Sequence, residues 1–212
     1  MKRNEFITIE SSRGRIFNVL TALLCQPEES PDSRKKALEV LEEEFTKLNK
    51  EAYELANGLL KEIEKFGYQD LLLEYTKLFL GPFKVLAPPY SSIYFGRKQL
   101  VSEETMWVSD FYQKAGLKFD KELKDLPDHI AVEMEFMYFL VFNELKALED
   151  DNSEKAKEFF AFQTDFFNKH FKLWIPKFCD QIEKQSENSY YLQLAKCIKF
   201  FIVNVPIPEF KD

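Results

Sequence analysis

Four side chains that could transfer protons or bind a metal crowd the stretch DLPDHIAVEMEFMYFL, namely Asp128, His129, Glu133 and Glu135. On a helix His129 and Glu133 share a face, whereas Glu135 lies about 200° around the axis from Glu133. The four groups therefore cannot converge on one site. A metal would need another ligand, and His170 is the other histidine of the chain. A metal-binding helical protein using His129, Glu133 and His170 is thus an alternative hypothesis.

Asp128 also suits a structural role. It follows Pro127 at the start of a predicted helix from about residue 128 to residue 148, where free N–H groups and the helix dipole favour a carboxylate. The helix behind it is apolar on most faces, which predicts burial. We therefore predict that Asp128 caps this helix, a role that can coexist with ligand binding, and that Glu133 pairs with His129 inside the helix.

Motifs for other chemistry are missing. The chain has neither G-x-x-x-x-G-K-[ST] nor G-x-G-x-x-G, and neither Ser91 nor Ser92 lies in a G-x-S-x-G elbow. Cys25, Cys179 and Cys197 fall at apolar helical positions, which predicts buried thiols. We therefore expect a protein that is not an enzyme and carries no cofactor.

Composition limits the kind of partner. Lys and Arg total 29 against 36 Asp and Glu, and this net charge of -7 argues against nucleic acid and suits a basic partner. The 22 Phe, 9 Tyr and 2 Trp indicate either an apolar binding groove or a Phe-rich core. No secretory signal, membrane-spanning run or disulfide framework is visible, so we expect a cytoplasmic protein without membrane insertion.

Helical periodicity runs through the sequence, and no strand-like alternation of useful length occurs. Ser11 or Ser12 is predicted to cap a first helix. Residues 81–96 break the pattern with three prolines, two glycines and several aromatics, which indicates a loop that packs down or lines a site. The prediction is an all-α, single-domain bundle of about eight to ten helices over residues 1–212, with its core at about 11–205. Further helices are predicted near residues 33–48, 51–66, 69–80, 102–116, 128–148, 153–170, 173–184 and 189–203.

Three patterns together resemble the TorD/DmsD/NarJ family of cytoplasmic chaperones for molybdenum-cofactor oxidoreductases. EYTKLFLGPFKVLAPPYSSIY, residues 74–94, is similar to the family's aromatic-x-x-LF-x-GP stretch and the PP-aromatic segment after it. PDHIAVEMEFM, residues 127–137, is similar to its P-D-H-I-x-x-E-L-E-F-M signature. FFNKHFKLWIPKFCDQI, residues 166–182, is similar to a late F-x-x-H-x-x-x-W-x-P-x-F pattern.

The resemblance implies a TorD-like helical fold without catalytic activity. It also implies binding of the twin-arginine leader, or signal peptide, of a client oxidoreductase, whose apo form is held until its cofactor is inserted. A helical adaptor for a folded partner is the other alternative, and both a monomer and a helix-exchanged dimer are compatible with the sequence. Carried over by position, the implied leader-binding residues are Tyr75, Leu78, Phe79, Phe83, Tyr90, Tyr94, Asp128 and His129.

Overall fold

The computed structural model describes residues 2–81, 84–96, 101–117 and 125–208. No strand occurs in these ranges, and the predicted all-α bundle is confirmed. That the whole chain forms a single domain stays a prediction. The elements are α1 (Arg3–Leu24), α2 (Pro31–Leu48), α3 (Lys50–Ile63), α4 (Tyr68–Tyr75) with a π-helical turn (Thr76–Leu80), α5 (Ser91–Tyr94), α6 (Glu103–Lys114), α7 (Ile130–Glu149), α8 (Ser153–Phe166) with a second π-helical turn (Phe167–Phe171), α9 (Lys172–Gln185) and α10 (Ser189–Asn204).

Helices α1 and α7 pack against each other in opposite directions. At one end, the Arg3 guanidinium donates to the Asp151 carboxylate at 2.8 Å and to the Leu148 carbonyl. Further along, Gly14 lets the two helices approach closely, because a Cβ there would lie 3.0 Å from a methyl carbon of Val141. At the other end of this antiparallel pair, the last residues of α1 therefore lie near the start of α7.

The first helix begins at Arg3, so the prediction that Ser11 or Ser12 caps it was wrong. Phe6 is buried in a small apolar cluster with Ala147 and Leu148 of α7, which stabilises the extra turns. The Ser12 hydroxyl instead donates to the Glu44 carboxylate of α2 at 2.7 Å. Ser12 thus joins two helices instead of ending one.

A buried polar network joins α1 to α7 and α8. The Arg13 guanidinium donates to the Glu10 carboxylate and, at 2.6 Å, to the Gln163 side-chain oxygen. The Gln163 amide donates in turn to Glu10 at 3.2 Å and to Glu144 at 2.9 Å. Burial and the negative charge of Glu10 raise the pKa of Glu144 to about 9. Glu144 is therefore protonated at neutral pH and adds no second negative charge beside Glu10.

The aromatic residues of the sequence largely build the core. Ring pairs meet mostly edge to face or tilted, as for Phe17 and Phe201 at 5.0 Å between centroids. Of the two sequence interpretations, a Phe-rich core therefore accounts for many of these side chains. Those that are almost fully buried include Phe6, Phe17, Phe45, Tyr112, Phe136, Phe166, Phe171, Trp174, Phe178, Tyr190 and Tyr191.

Glycine is required where the π-helical turn after α4 ends. Gly81 has φ of +59°, and a Cβ on it would lie 2.6 Å from the Lys84 carbonyl oxygen. Gly96, at the other end of the predicted loop, has φ of +82° but no atom within 4 Å of its Cβ position. Both glycines therefore have a positive φ, but only at Gly81 would a Cβ atom also be crowded by neighbouring atoms.

We expect Gly81→Ala to lower the free energy of unfolding by roughly 3 kcal/mol or more, because backbone strain and steric overlap add. Gly96→Ala serves as the matched control and should cost about 1 kcal/mol, since it suffers strain alone. Urea unfolding monitored by circular dichroism measures both values. Equal losses in the two variants would contradict the role given to the Lys84 carbonyl.

Candidate functional site at the start of helix α7

The first residues of α5 and the loop before them are hydrogen-bonded to the residues that begin α7. The Ser91 N–H donates to the Asp128 carbonyl at 2.9 Å, and the Ser92 N–H donates to Oδ2 of Asp128 at 3.1 Å. In the reverse direction, the Ile130 N–H donates to the Pro89 carbonyl at 2.8 Å. The first two sequence patterns, far apart along the chain, therefore meet at Asp128.

His129, and not Asp128, caps α7, so the predicted cap was wrong by one residue. The helix begins at Ile130, and Nδ1 of His129 accepts a hydrogen bond from the Ala131 N–H at 3.2 Å. Burial lowers the pKa of His129, and the charges of Asp125 and Asp128 oppose that shift. A neutral ring is what the cap needs, because a protonated Nδ1 has no lone pair to accept with.

The Asp128 side chain is fully buried. Its Oδ2 accepts from Ser92, while Oδ1 has no hydrogen-bond partner among the residues that the structure describes. Its carboxylate thus holds the loop on α7 and is closed to solvent in this conformation. A ligand reaches Asp128 only if the loop moves.

The other predicted leader-binding residues divide into two groups. Tyr75, Leu78 and Phe79 are buried at 7%, 0% and 5% exposure, and Tyr75 meets Phe79 edge to face at 5.0 Å. Burial raises the pKa of Tyr75 to about 12. Tyr90 and Tyr94 are half-buried. Phe83 lies outside the described residues.

The two half-buried tyrosines have different neighbours. Tyr90 lies directly opposite His129, with ring centroids 5.2 Å apart. Tyr94 stacks on Trp174 of α9 at 5.7 Å. The structure therefore brings the half-buried Tyr90 together with the buried Asp128 and His129. It places Tyr75, Leu78 and Phe79, from α4 and the π-helical turn after it, in the core.

Glu133 is bonded to distant residues and not to His129, which corrects the predicted pairing inside the helix. Its two oxygens bond to Nε2 of His170 and to the Trp174 indole N–H, each at 2.8 Å. The other nitrogen of His170 bonds to Glu104 of α6 at 2.8 Å. Sequence reasoning missed Glu104 and Trp174 as partners because no local pattern links them to α7.

This cluster fixes the charge state of His170. Burial acts to lower the pKa of His170, but the carboxylates of Glu133 and Glu104 raise it to about 9 overall. Burial also raises the pKa of Glu133, and His170 opposes that shift. At neutral pH the imidazolium therefore donates from both nitrogens. The described ranges contain no group of three or more His, Cys, Asp or Glu side chains that could hold a metal ion.

Comparison with known proteins identifies the family. The model of the nitrate reductase delta subunit family matches residues 41–180, about two thirds of the chain. The chain belongs to this family. The predicted membership in the TorD/DmsD/NarJ family of chaperones is thereby confirmed. The matched region includes both segments that meet at Asp128, and also His170.

Curated relatives of this family are TorD chaperones. The TorD protein of Vibrio parahaemolyticus is 28% identical over 137 residues, which cover 62% of this chain and 60% of the relative. That of Photobacterium profundum is 30% identical over 142 residues, covering 66% and 64%. The chain thus spans about 60% of the length of the first of these relatives.

A solved structure has the same fold. The crystal structure from Archaeoglobus fulgidus of a protein described as a redox enzyme maturation protein aligns with a TM-score of 0.58. The alignment covers 90% of this chain and 93% of the other at 24% identity. In the present chain, none of the described helices is long and apolar enough to cross a membrane.

The His170 cluster predicts loss of stability at alkaline pH. The pKa of His170 is about 9 in the folded chain and 6.5 by default, so the stabilisation is complete below pH 6.5 and is lost as pH rises through 9. We expect His170 to lower the free energy of unfolding across this window by up to about 1.4 kcal/mol per pH unit. His170→Gln, which cannot titrate, should make the slope shallower and leave the part that comes from Glu144, whose pKa is also raised to about 9. An unchanged slope in that variant would exclude His170 as a source. Urea titrations at several pH values measure the free energy of unfolding and thus its slope with pH.

His129 predicts the opposite behaviour at acidic pH. Its pKa is lowered in the folded chain, so the stability is present above about 6.5, its unfolded value, and declines as pH falls below it. His129→Asn is a matched control, because asparagine caps a helix without titrating near neutral pH. Between pH 6.5 and 5.5 we expect a smaller stability loss in the variant than in the wild type. Parallel curves for the two proteins would rule out a titrating His129 cap.

Proposed function

We propose that this protein is a chaperone that binds the N-terminal twin-arginine leader of a molybdenum-cofactor oxidoreductase. It holds the apoenzyme in the cytoplasm until the cofactor is inserted, and it has no enzymatic activity of its own. Membership in a family whose curated relatives are TorD chaperones supports this proposal. The Archaeoglobus structure supports the fold alone, because its sequence identity is low.

The observation that carries the proposed binding site is the meeting of the two motif segments at Asp128 and His129. Tyr90 lies against His129 there, and the predicted contacts Tyr75, Leu78 and Phe79 belong to the helix from which the loop departs. The outer face of that helix and its π-helical turn exposes Leu73 and Leu80, at 58% and 53%. An apolar leader segment would bury such surface at roughly 25 cal/mol per Å².

Charge at the same end of the molecule suits a basic ligand. Asp125 and Glu135, both exposed, lie just before and just inside α7. Both carboxylates act on the Cys25 thiol at the end of α1, whose pKa is raised mainly by partial desolvation and further by their charge. Cys25 is exposed, so the prediction that its thiol is buried was wrong. The arginine pair of a leader would meet these carboxylates first and then Asp128, and the net charge of -7 would add a salt-sensitive attraction.

Titration calorimetry with synthetic leaders of molybdoenzymes encoded near this gene tests the proposal. We expect binding that weakens at least tenfold when both leader arginines become glutamine, because charged hydrogen bonds of about 1.5–3 kcal/mol are lost. Asp128→Asn should weaken binding by a similar factor. Asp150→Asn, a matched change at the far end of α7, should leave binding unchanged.

Two outcomes would contradict the proposal. Folded wild-type protein that binds none of these leaders would refute leader recognition. Binding of a folded client lacking its leader, unaffected by Asp128→Asn, would instead support a helical adaptor.

A further inference from the structure

Residues 89–92, here termed the latch segment, are held on the start of α7 by a small and well-defined set of contacts. The Ser91 and Ser92 N–H groups donate to the Asp128 carbonyl and carboxylate, and the Pro89 carbonyl accepts from Ile130. Tyr90 packs on His129. These three hydrogen bonds and one ring contact join the latch segment to the start of α7, and the Ser91 side chain also acts to lower the pKa of Glu133 within that helix.

The latch segment occupies the atoms that a basic ligand requires. An arginine side chain has only hydrogen-bond donors, so it can bind Asp128 only through the Asp128 oxygens. These oxygens are buried in the present conformation. Oδ2 is taken by the Ser92 N–H, and the side chain is shielded from solvent. The unbound protein therefore fills this acceptor with a neutral donor of its own backbone.

The closed arrangement leaves polar atoms unpaired. Oδ1 of Asp128 and the Ser92 hydroxyl are both buried, and neither has a hydrogen-bond partner among the described residues. An unpaired buried polar atom lowers stability relative to the same atom in water or bonded to a ligand. Opening the latch segment would allow both atoms to form hydrogen bonds. The free energy needed to open it is therefore smaller than for a segment whose polar atoms are all paired in the closed state.

Contacts on either side of the latch segment limit how far its movement can extend. Before it, the Ala87 N–H donates to the Leu78 carbonyl at 2.7 Å, and Gln181 donates to the Leu86 carbonyl at 2.8 Å. Movement can therefore be confined to the segment between Ala87 and Tyr94, which stacks on Trp174.

We propose that the latch segment is an autoinhibitory contact, which occupies Asp128 in the unbound protein and is released when the arginine pair of a leader takes its place. This inference rests on the proposed function, since it concerns how the same site admits its ligand. It names Ser91, Ser92 and Ile130 as the residues whose N–H groups lose their acceptors on binding.

Hydrogen exchange of wild-type protein, with and without a leader peptide shown to bind by calorimetry, tests this directly. The Ser91, Ser92 and Ile130 amides should exchange at least tenfold faster in the complex. The Ala87 amide, bonded to Leu78 outside the latch segment, is the internal control and should stay protected. Unchanged or slower exchange at the three amides in a saturated complex would overturn the latch and leave leader binding intact. Absence of any leader binding would overturn both proposals.

A reversible crosslink gives a second test. Tyr90 and His129 face each other as an antiparallel pair, and Cβ atoms in such pairs are roughly 4.5–5.5 Å apart, close to disulfide geometry. In a Cys25→Ser background, the double variant Tyr90→Cys, His129→Cys should bind the leader at least tenfold more weakly when oxidised than when reduced. Equal affinity in the two redox states, with the disulfide verified by mass, would show that the latch segment need not open.

Discussion

The buried carboxylate of Glu133 is the constraint on which the arrangement around α7 depends. A fully buried charge costs several kcal/mol unless it is paired, and here His170 and Trp174 supply both hydrogen bonds. Those two side chains fix α9 and its preceding π-helical turn against α7, and His170 in turn fixes α6 through Glu104. Trp174 also stacks on Tyr94, so the position of the loop that reaches Asp128 follows from the same carboxylate.

Carboxylates in this protein divide by location into two roles. Three of the buried ones, Glu10, Glu133 and Glu144, are bonded to an arginine, histidine, tryptophan or glutamine and join helices. The exposed ones near the start of α7, Asp125 and Glu135, are available to a basic ligand. Asp128 is intermediate: it is as buried as the first group, but its carboxylate accepts from a backbone N–H, that of Ser92, instead of from a side chain of another helix. It also lies close in sequence to the exposed Asp125, which is why it is both a fold contact and a proposed binding residue.

Local patterns in the sequence were sufficient for the helical class and for the apolar run of α7. The predicted loop over residues 81–96 was right only in part, because Ser91–Tyr94 within it forms the short helix α5. Local patterns were insufficient for interactions between distant residues, because Glu133 meets partners 37 and 41 residues away. They also misplaced the start of α1, since Phe6 is stabilised by a cluster on α7 and α8 that no local signal reports. Apolarity alone did not separate Tyr75 and Phe79, which are buried, from Tyr90, which reaches the surface.

Because the loop covers Asp128 in the unbound protein, a peptide that binds there must first displace the loop. Any peptide that opens the loop displaces the Ser91 N–H from the Asp128 carbonyl and the Ser92 N–H from the Asp128 carboxylate. An apolar peptide has only backbone N–H groups to offer in their place, and where these do not reach the carboxylate it is left unpaired, at a cost of about 1–3 kcal/mol or more. A guanidinium forms charge-assisted hydrogen bonds roughly twice as strong as neutral ones and can use both carboxylate oxygens. On the proposed function, a latch of this kind would penalise apolar sequences that lack arginine and would favour those that carry arginine at the right distance from their apolar segment. The proposed binding surface would then have selectivity beyond its hydrophobic contacts.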